Sequence, residues 1–301
     1  MKIGIAGTGR MGTAIALRLM EKGHQVAVWN RTREKTAAAA RAGAGVAASP
    51  AGLAATSDSV ITFLTNAQAM HAVYTGPDGL LSTDVRGKLF IDMSTVRGAE
   101  HRLLAPKVEA KRALFLECPV SGTVQPAREG KLFGFAGGTP VAFAQAKPLL
   151  AQLCRRVELI GPLGAGASMK LAVNLLLTVF WQALAEACGL MQPVRMSPER
   201  LIELLADTSI GAGILKARGA QIAGALKGEP AAAATFDIDF MRKDLREMLQ
   251  EAEALHLRLP LAAQTLESFD DASRAGAGKL DGTQYPAWWI GANAVTSIAG
   301  E

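Results

Sequence analysis

The stretch "IGIAGTGRMG" sets Gly7, Gly9 and Gly12 as G-x-G-x-x-G, after a short apolar run and before residues with helical spacing. That order suits a pyrophosphate. The first glycine allows a tight turn, the second lets backbone approach the anion, and the third lets a helix pack on its strand. The helix N-terminus adds unbonded N–H groups and partial positive charge. About twenty residues on, a second strand candidate ends in Asn30-Arg31-Thr32. A carboxylate there would bond the ribose 2′-OH of NAD and repel a 2′-phosphate. Here Arg31 can pair with a phosphate and stack on adenine, with Thr32 and Arg33 as further donors. The pattern predicts NADP(H) over NAD(H). The plainer alternative makes Arg31 and Arg33 solvated residues at a helix start.

Hydride transfer to a carbonyl needs a proton donor beside the developing alkoxide. "GAGASMKLAVN" puts Lys170 and Asn174 four residues apart, on one helix face. A lysine in an apolar helix is costly without partners, and desolvation would make its ammonium a competent acid. Asn174 could hold that ammonium or the substrate oxygen. On these residues alone, a lysine snorkelling at the helix start explains Lys170 equally well. His24, His71, His101 and His256 have no neighbours that suggest a catalytic dyad, and they read as surface residues.

These groups need a frame. The 301 residues suffice for two domains, and with half of them hydrophobic and 20% charged the chain can fill a core. The formal charge of +5 comes from scattered basic residues, which suits anionic ligands rather than a nucleic-acid surface. Cys118, Cys154 and Cys188 form no CxxC and argue against disulfides or a zinc site, so no metal is expected. No signal peptide fits, and "LAVNLLLTVFWQALAEACGLM" is broken by Asn174, Gln182 and Glu186. A buried helix in a cytoplasmic protein, with no membrane or nucleic-acid partner, is expected.

Short apolar strands ("KIGIA", "QVAVWN", "SVITFLT", "KLFIDMS", "LFLECPV", "FGFAGG", "RRVELIG") alternate with helices such as "TAIALRLMEKG", "TREKTAAAARAG" and "SPAGLAAT". In the last of these, Ser49 is the expected N-cap and Pro50 the first helical residue. Such alternation predicts an α/β, Rossmann-type doubly wound parallel sheet. Strand signals stop after Gly166. A long apolar helix over 167–192 and four more helical segments follow, predicting an all-α C-terminal domain. The expected boundaries are 1–162 and 163–301. A helix this apolar predicts packing against a second subunit, in a homodimer or homotetramer.

Together these residues resemble the β-hydroxyacid dehydrogenase family, which includes 3-hydroxyisobutyrate dehydrogenases, tartronate semialdehyde reductases and glyoxylate/succinic semialdehyde reductases. The resemblance runs through the cofactor stretch, "DMSTV" (92–96), "CPVSGTVQPAREGKL", "GPLGAGASMKLAVN" and "FMRKDL". It implies catalysis by Lys170 with Asn174 as partner. It implies that Ser121, Gly122 and Thr123 hold a substrate carboxylate, and that Lys243, supported by Asp244, reaches substrate and cofactor. The cofactor set becomes Gly7, Thr8, Gly9, Arg10, Met11, Gly12, Asn30, Arg31, Thr32, Leu64, Thr65, Thr95 and Lys243. The implied activity is an NADP-dependent interconversion of a small β-hydroxyacid and its aldehyde or keto acid. Two departures stand out: Thr123 replaces a second glycine, and Gly98 replaces a proline often found after Ser-Thr. Trp288 and Trp289 line the substrate mouth or, preferably, cap the helical core. The enzyme rival is an imine reductase, against which Lys170 argues. The non-enzyme rival is a dinucleotide-binding sensor, against which the intact Lys170 and Asn174 argue.

Overall fold

A computed structural model describes residues 1–208, 213–230 and 233–293. Its strands are β1 (Lys2–Ala6), β2 (Gln25–Trp29), β3 (Gly45–Val46), β4 (Ser59–Thr62), β5 (Leu89–Asp92), β6 (Leu114–Glu117), β7 (Val120–Ser121), β8 (Leu132–Gly138) and β9 (Cys154–Gly161). The sheet order is β3-β2-β1-β4-β5-β6-β8-β7, and β9 also pairs with β8. From β3 to β6 all pairs are parallel. β8 runs antiparallel to β6 and β7, and parallel to β9. The 3-2-1-4-5-6 portion is the doubly wound dinucleotide-binding order, with its switch point beside β1.

Period-two side-chain alternation explains how short apolar strands build two cores. Ile3, Ile5, Ile61 and Ile91 face one side, with Ala14, Ile15 and Leu19 of α1 (Arg10–Glu21). Their neighbours Val60 and Phe90 face the other, with Leu53, Tyr74, Leu104 and Phe115. The helices between strands are α2 (Ala37–Arg41), α3 (Pro50–Ala55), α4 (Ala67–Thr75), α5 (Gly98–Glu109), α6 (Val124–Glu129) and α7 (Pro140–Leu150). Ser49 Oγ accepts from Gly52 N at 3.1 Å and Pro50 opens α3, as the sequence predicts. "TREKTAAAARAG" is not one helix: a 3₁₀ turn over Arg33–Thr36 precedes α2.

The long helix is α8 (Ala165–Leu190), followed by α9 (Pro198–Asp207), α10 (Gly213–Leu226), α11 (Ile238–Ala254), α12 (Pro260–Arg274) and α13 (Tyr285–Asn293). The chain forms two compact units, Met1–Val173 and Asn174–Glu301. The division between these compact units falls inside α8. The cause is local. Gly166 lies so close to β8 that a Cβ there would sit 2.2 Å from the Phe135 carbonyl oxygen, and Glu117 holds the helix start, as described below. The first turns of α8 therefore belong to the sheet.

By length and composition α8 could cross a membrane. Its polar interruptions instead find partners inside the second unit. Asn174, Thr178 and Gln182 are four apart and buried. Thr178 Oγ1 donates to the Asn174 carbonyl at 3.0 Å, and Tyr285 donates to Gln182 Oε1 at 2.5 Å. Tyr285 also packs edge-on against Phe269 and stacks on Trp288, and Trp289 lies against Gly189. Both tryptophans therefore pack on the helical core, as favoured from sequence.

Candidate active site

At the carboxyl end of β1 the three glycines do different work. A Cβ at Gly7 would lie 2.2 Å from the Phe63 carbonyl oxygen, and one at Gly12 would lie 1.8 Å from the Gly7 oxygen. One at Gly9 would meet nothing within 4 Å. So Gly7 and Gly12 are fixed by backbone packing, while Gly9 faces open space. Gly7 also adopts φ +102°, a left-handed conformation that glycine takes without cost. The N-terminus of α1 has no side-chain cap and no acid in its first turn, which leaves its positive end for an anion. Thr8 Oγ1 is buried and hydrogen-bonds to none of the described residues. A buried hydroxyl without a partner at a glycine-lined helix start fits a phosphate oxygen. The loop thus passes a test for a dinucleotide pyrophosphate on its own geometry.

Asn30 ties two turns together. Its Oδ1 accepts from Thr8 N at 3.1 Å, and its Nδ2 donates to the Thr32 carbonyl at 2.8 Å. Arg31, Thr32 and Arg33 are exposed beside it. Leu64 abuts Gly7, and its N–H donates to Ser94 Oγ at 2.9 Å. Thr65 is exposed and Thr95 half-buried. The strand ends of β1, β2, β4 and β5 thereby carry Gly7 and two bonded pairs, Thr8 with Asn30 and Leu64 with Ser94.

The substrate-loop candidates lie elsewhere on the sheet. Ser121 ends β7 opposite Phe133, Gly122 takes φ +125°, and Thr123 is the N-cap of α6. The Thr123 side chain makes no cap hydrogen bond. Gly98 has a packing reason. A Cβ there would lie 2.7 Å from Gly164 Cα, so α5 and the turn before α8 meet with no side chain between them.

Lys170 stands in the second turn of α8, half-buried rather than sealed from water. One turn on, Asn174 is buried, and its Nδ2 donates to Asp244 Oδ2 at 2.6 Å. The other oxygen of Asp244 pairs with Lys243 Nζ at 2.7 Å. Asp244 therefore orients both Asn174 and Lys243, which the sequence names only as separate candidates.

One constellation escaped the sequence. His101 is not a surface residue: it is fully buried between two buried carboxylates. Its Nε2 lies 3.0 Å from Asp92 Oδ1. Its Nδ1 lies 2.5 Å from Glu117 Oε2, an ion-pair contact rather than a well-aligned hydrogen bond. Burial alone would lower the imidazole pKa, but the hydrogen bonds and charges of Asp92 and Glu117 outweigh it and push the pKa up to about 9. The ring is thus an imidazolium at neutral pH. Asp92 and Glu117 are register partners on β5 and β6, so two buried like charges sit side by side and need a cation. That register is the signal sequence reasoning lacked.

Residues 2–161 match the family described as the NAD binding domain of 6-phosphogluconate dehydrogenase. Residues 164–288 match the NAD-binding family of NADP-dependent 3-hydroxyisobutyrate dehydrogenase. The chain belongs to the β-hydroxyacid dehydrogenase family. Like other β-hydroxyacid dehydrogenases it carries a Rossmann-like sheet and an all-helical C-terminal domain. A glyoxylate/succinic semialdehyde reductase 1 of Arabidopsis thaliana is 30% identical over 93% of this chain and 96% of its own. A Mycobacterium tuberculosis 3-hydroxyisobutyrate dehydrogenase solved with L-serine superposes with a TM-score of 0.81 at 26% identity, over 95% of this chain and 97% of its own. A protein called Psf3, solved with NADP+ and 2-OPP, gives a TM-score of 0.84 at 25% identity over 95% and 99%. An imine reductase of Myxococcus stipitatus shares the fold alone, at 17% identity and a TM-score of 0.63 over 95% and 98%.

Proposed function

We propose that this β-hydroxyacid dehydrogenase is an NADP-preferring reductase of small aldehyde or keto acids, reversible toward the β-hydroxyacid. The observation that carries the cofactor half is the end of β2, where exposed Arg31, Thr32 and Arg33 stand beside an Asn30 already committed to Thr8. Arg31 pairs with a 2′-phosphate, which a strand-end carboxylate would repel. The NADP+ bound by the similar Psf3 supports the same reading. Gly7, Thr8, Gly9, Arg10, Met11 and Gly12 take the pyrophosphate, and Leu64, Thr65 and Thr95 border the rest of the cofactor. When bound, NADPH supplies the hydride.

The remaining steps belong to the chain's own side chains. Ser121, Gly122 and Thr123 hold the substrate carboxylate, and the uncommitted Thr123 hydroxyl adds a donor that a glycine lacks. Lys170 Nζ gives a proton to the carbonyl oxygen during reduction and takes it back from the hydroxyl during oxidation. Asn174, fixed by Asp244, orients the reacting oxygen, and Lys243 borders both substrate and cofactor. The names of the plant relatives point to glyoxylate or succinic semialdehyde as substrate.

A second copy of the chain completes the assembly in this proposal. Met169, Leu176 and Leu190 are exposed at 41%, 74% and 81% on α8. With Ala172 and Ala183 they are spaced by three, four, seven and seven residues, a heptad-compatible seam suited to another helix. Light scattering should return a multiple of 31.5 kDa; a monomer would contradict this part. The main test compares kcat/KM for NADPH and NADH with glyoxylate and with succinic semialdehyde. NADPH should win by tenfold or more. A preference for NADH overturns the cofactor reading, and turnover of neither aldehyde overturns the substrate reading.

A further inference from the structure

The start of α8 lacks an ordinary cap. The first N–H groups of any helix have no partners within it. Here they turn to a strand residue about fifty positions away. Glu117 Oε1 accepts from Gly164 N and Gly166 N, each at 2.8 Å, and from Ala167 N at 3.3 Å. A fully buried carboxylate thus sits on the positive end of the helix that carries Lys170. Its other oxygen meets His101, and His101 meets Asp92. Asp92 in turn accepts from Ser94 N at 3.0 Å and Ser94 Oγ at 3.1 Å, and also from Thr62. Ser94 receives Leu64 N. One continuous buried network therefore joins the Leu64 and Ser94-Thr95 turns to the first turn of α8, all within the first unit.

We infer that Glu117, held by the His101–Asp92 pair, is a positioning residue that fixes Lys170 relative to the Ser94-Thr95 turn. It rests on the role proposed for Lys170. The geometry is suited to the task. The charge on Glu117 is shared between a cation on one side and three amides on the other, so the carboxylate is restrained from both directions. His101 is clamped by carboxylates from two adjacent strands. A shift of Glu117 moves the axial position of α8, and with it Nζ. Displacements of about an ångström at a reacting group cost on the order of a hundredfold in rate.

Glu117→Gln tests this. It keeps the shape and one carbonyl acceptor but removes the charge that grips the helix. Turnover of glyoxylate is read per bound NADPH, so loss of folded protein drops out of the comparison. The expected result is a fall in kcat of tenfold or more with the NADPH Kd and the glyoxylate KM within twofold of the parent. The primary isotope effect with 4-deuterated NADPH should rise as the chemical step becomes slower. Unchanged kcat per bound NADPH overturns the inference. Should Glu117→Gln not fold, nitrogen-15 NMR of the histidines in the parent protein decides. The buried ring must carry protons on both nitrogens at pH 7.5, and a neutral His101 overturns the network. Loss of activity in Lys170→Ala with full activity in Glu117→Gln defeats this inference alone. Full activity in Lys170→Ala defeats the mechanism itself.

Discussion

His101 should make this protein less stable as pH rises through the neutral range. Its folded pKa of about 9 lies above the value of about 6.5 expected in the unfolded chain. The folded state therefore holds a proton that the unfolded state releases. A raised pKa of this kind contributes stability that is fully present below pH ~6.5 and is lost as pH approaches about 9. At 1.36 kcal/mol per pKa unit the whole effect is about 3 kcal/mol, of which between about 2 and 3 kcal/mol disappears from pH 5.5 to 8.5. The thiols of Cys118, Cys154 and Cys188, pushed up by burial, act in the same direction as pH enters the ordinary thiol range. The difference between the parent and His101→Gln profiles removes their part and reports the imidazole. The assay is urea unfolding at half-unit intervals from pH 5.5 to 8.5, followed by near-ultraviolet circular dichroism. The His101→Gln variant should be less stable at pH 5.5 and show little of the slope. A flat profile in the parent protein, or stability that climbs with pH, would refute a buried imidazolium between Asp92 and Glu117.

Other substitutions read separate parts of the structure. Gly12→Ala places a Cβ 1.8 Å from the Gly7 carbonyl oxygen, so NADPH binding by fluorescence titration should fall at least tenfold with an overpacking cost of about 1–3 kcal/mol. Gly98→Ala presses on Gly164 at 2.7 Å and should lower Tm by several degrees, for a loss of about 1–3 kcal/mol; an unchanged Tm would deny the close approach. Asp244→Ala leaves the buried Asn174 amide and Lys243 without their shared acceptor. It should cost about 1–3 kcal/mol and reduce kcat more than it weakens NADPH binding.

Much of the fold was readable because its signals are local. Each parallel strand is a short apolar run, and Gly23 and Gly43, with φ of +83° and +103°, punctuate the chain after α1 and α2. The Ser49-Pro50 start of α3 needs two adjacent residues only. Helices α5 and α7 have no counterpart in the sequence reading, and each holds a proline, Pro106 or Pro148, in its interior. The strands β3 and β7 are two residues each, too short to leave a pattern. In the candidate site, the glycine series and the Lys170/Asn174 spacing are sequence features and stood out. His101 did not, because its partners come from β5 and β6 and its environment exists only in their register. Asp244 became a hub for the same reason: Asn174 lies seventy positions away in the chain. The half-buried state of Lys170 was also beyond reach, since helical periodicity gives a face but not its depth.

The central claim is that the Lys170 amine moves the proton that accompanies hydride transfer. Single-turnover reduction of glyoxylate by NADPH-loaded Lys170→Ala, followed by stopped-flow absorbance, addresses it directly. Loss of a general acid should slow the step by roughly 10²–10⁴-fold with NADPH still bound at one equivalent per chain. A rate within a few-fold of the parent would mean that another group, or water, moves the proton.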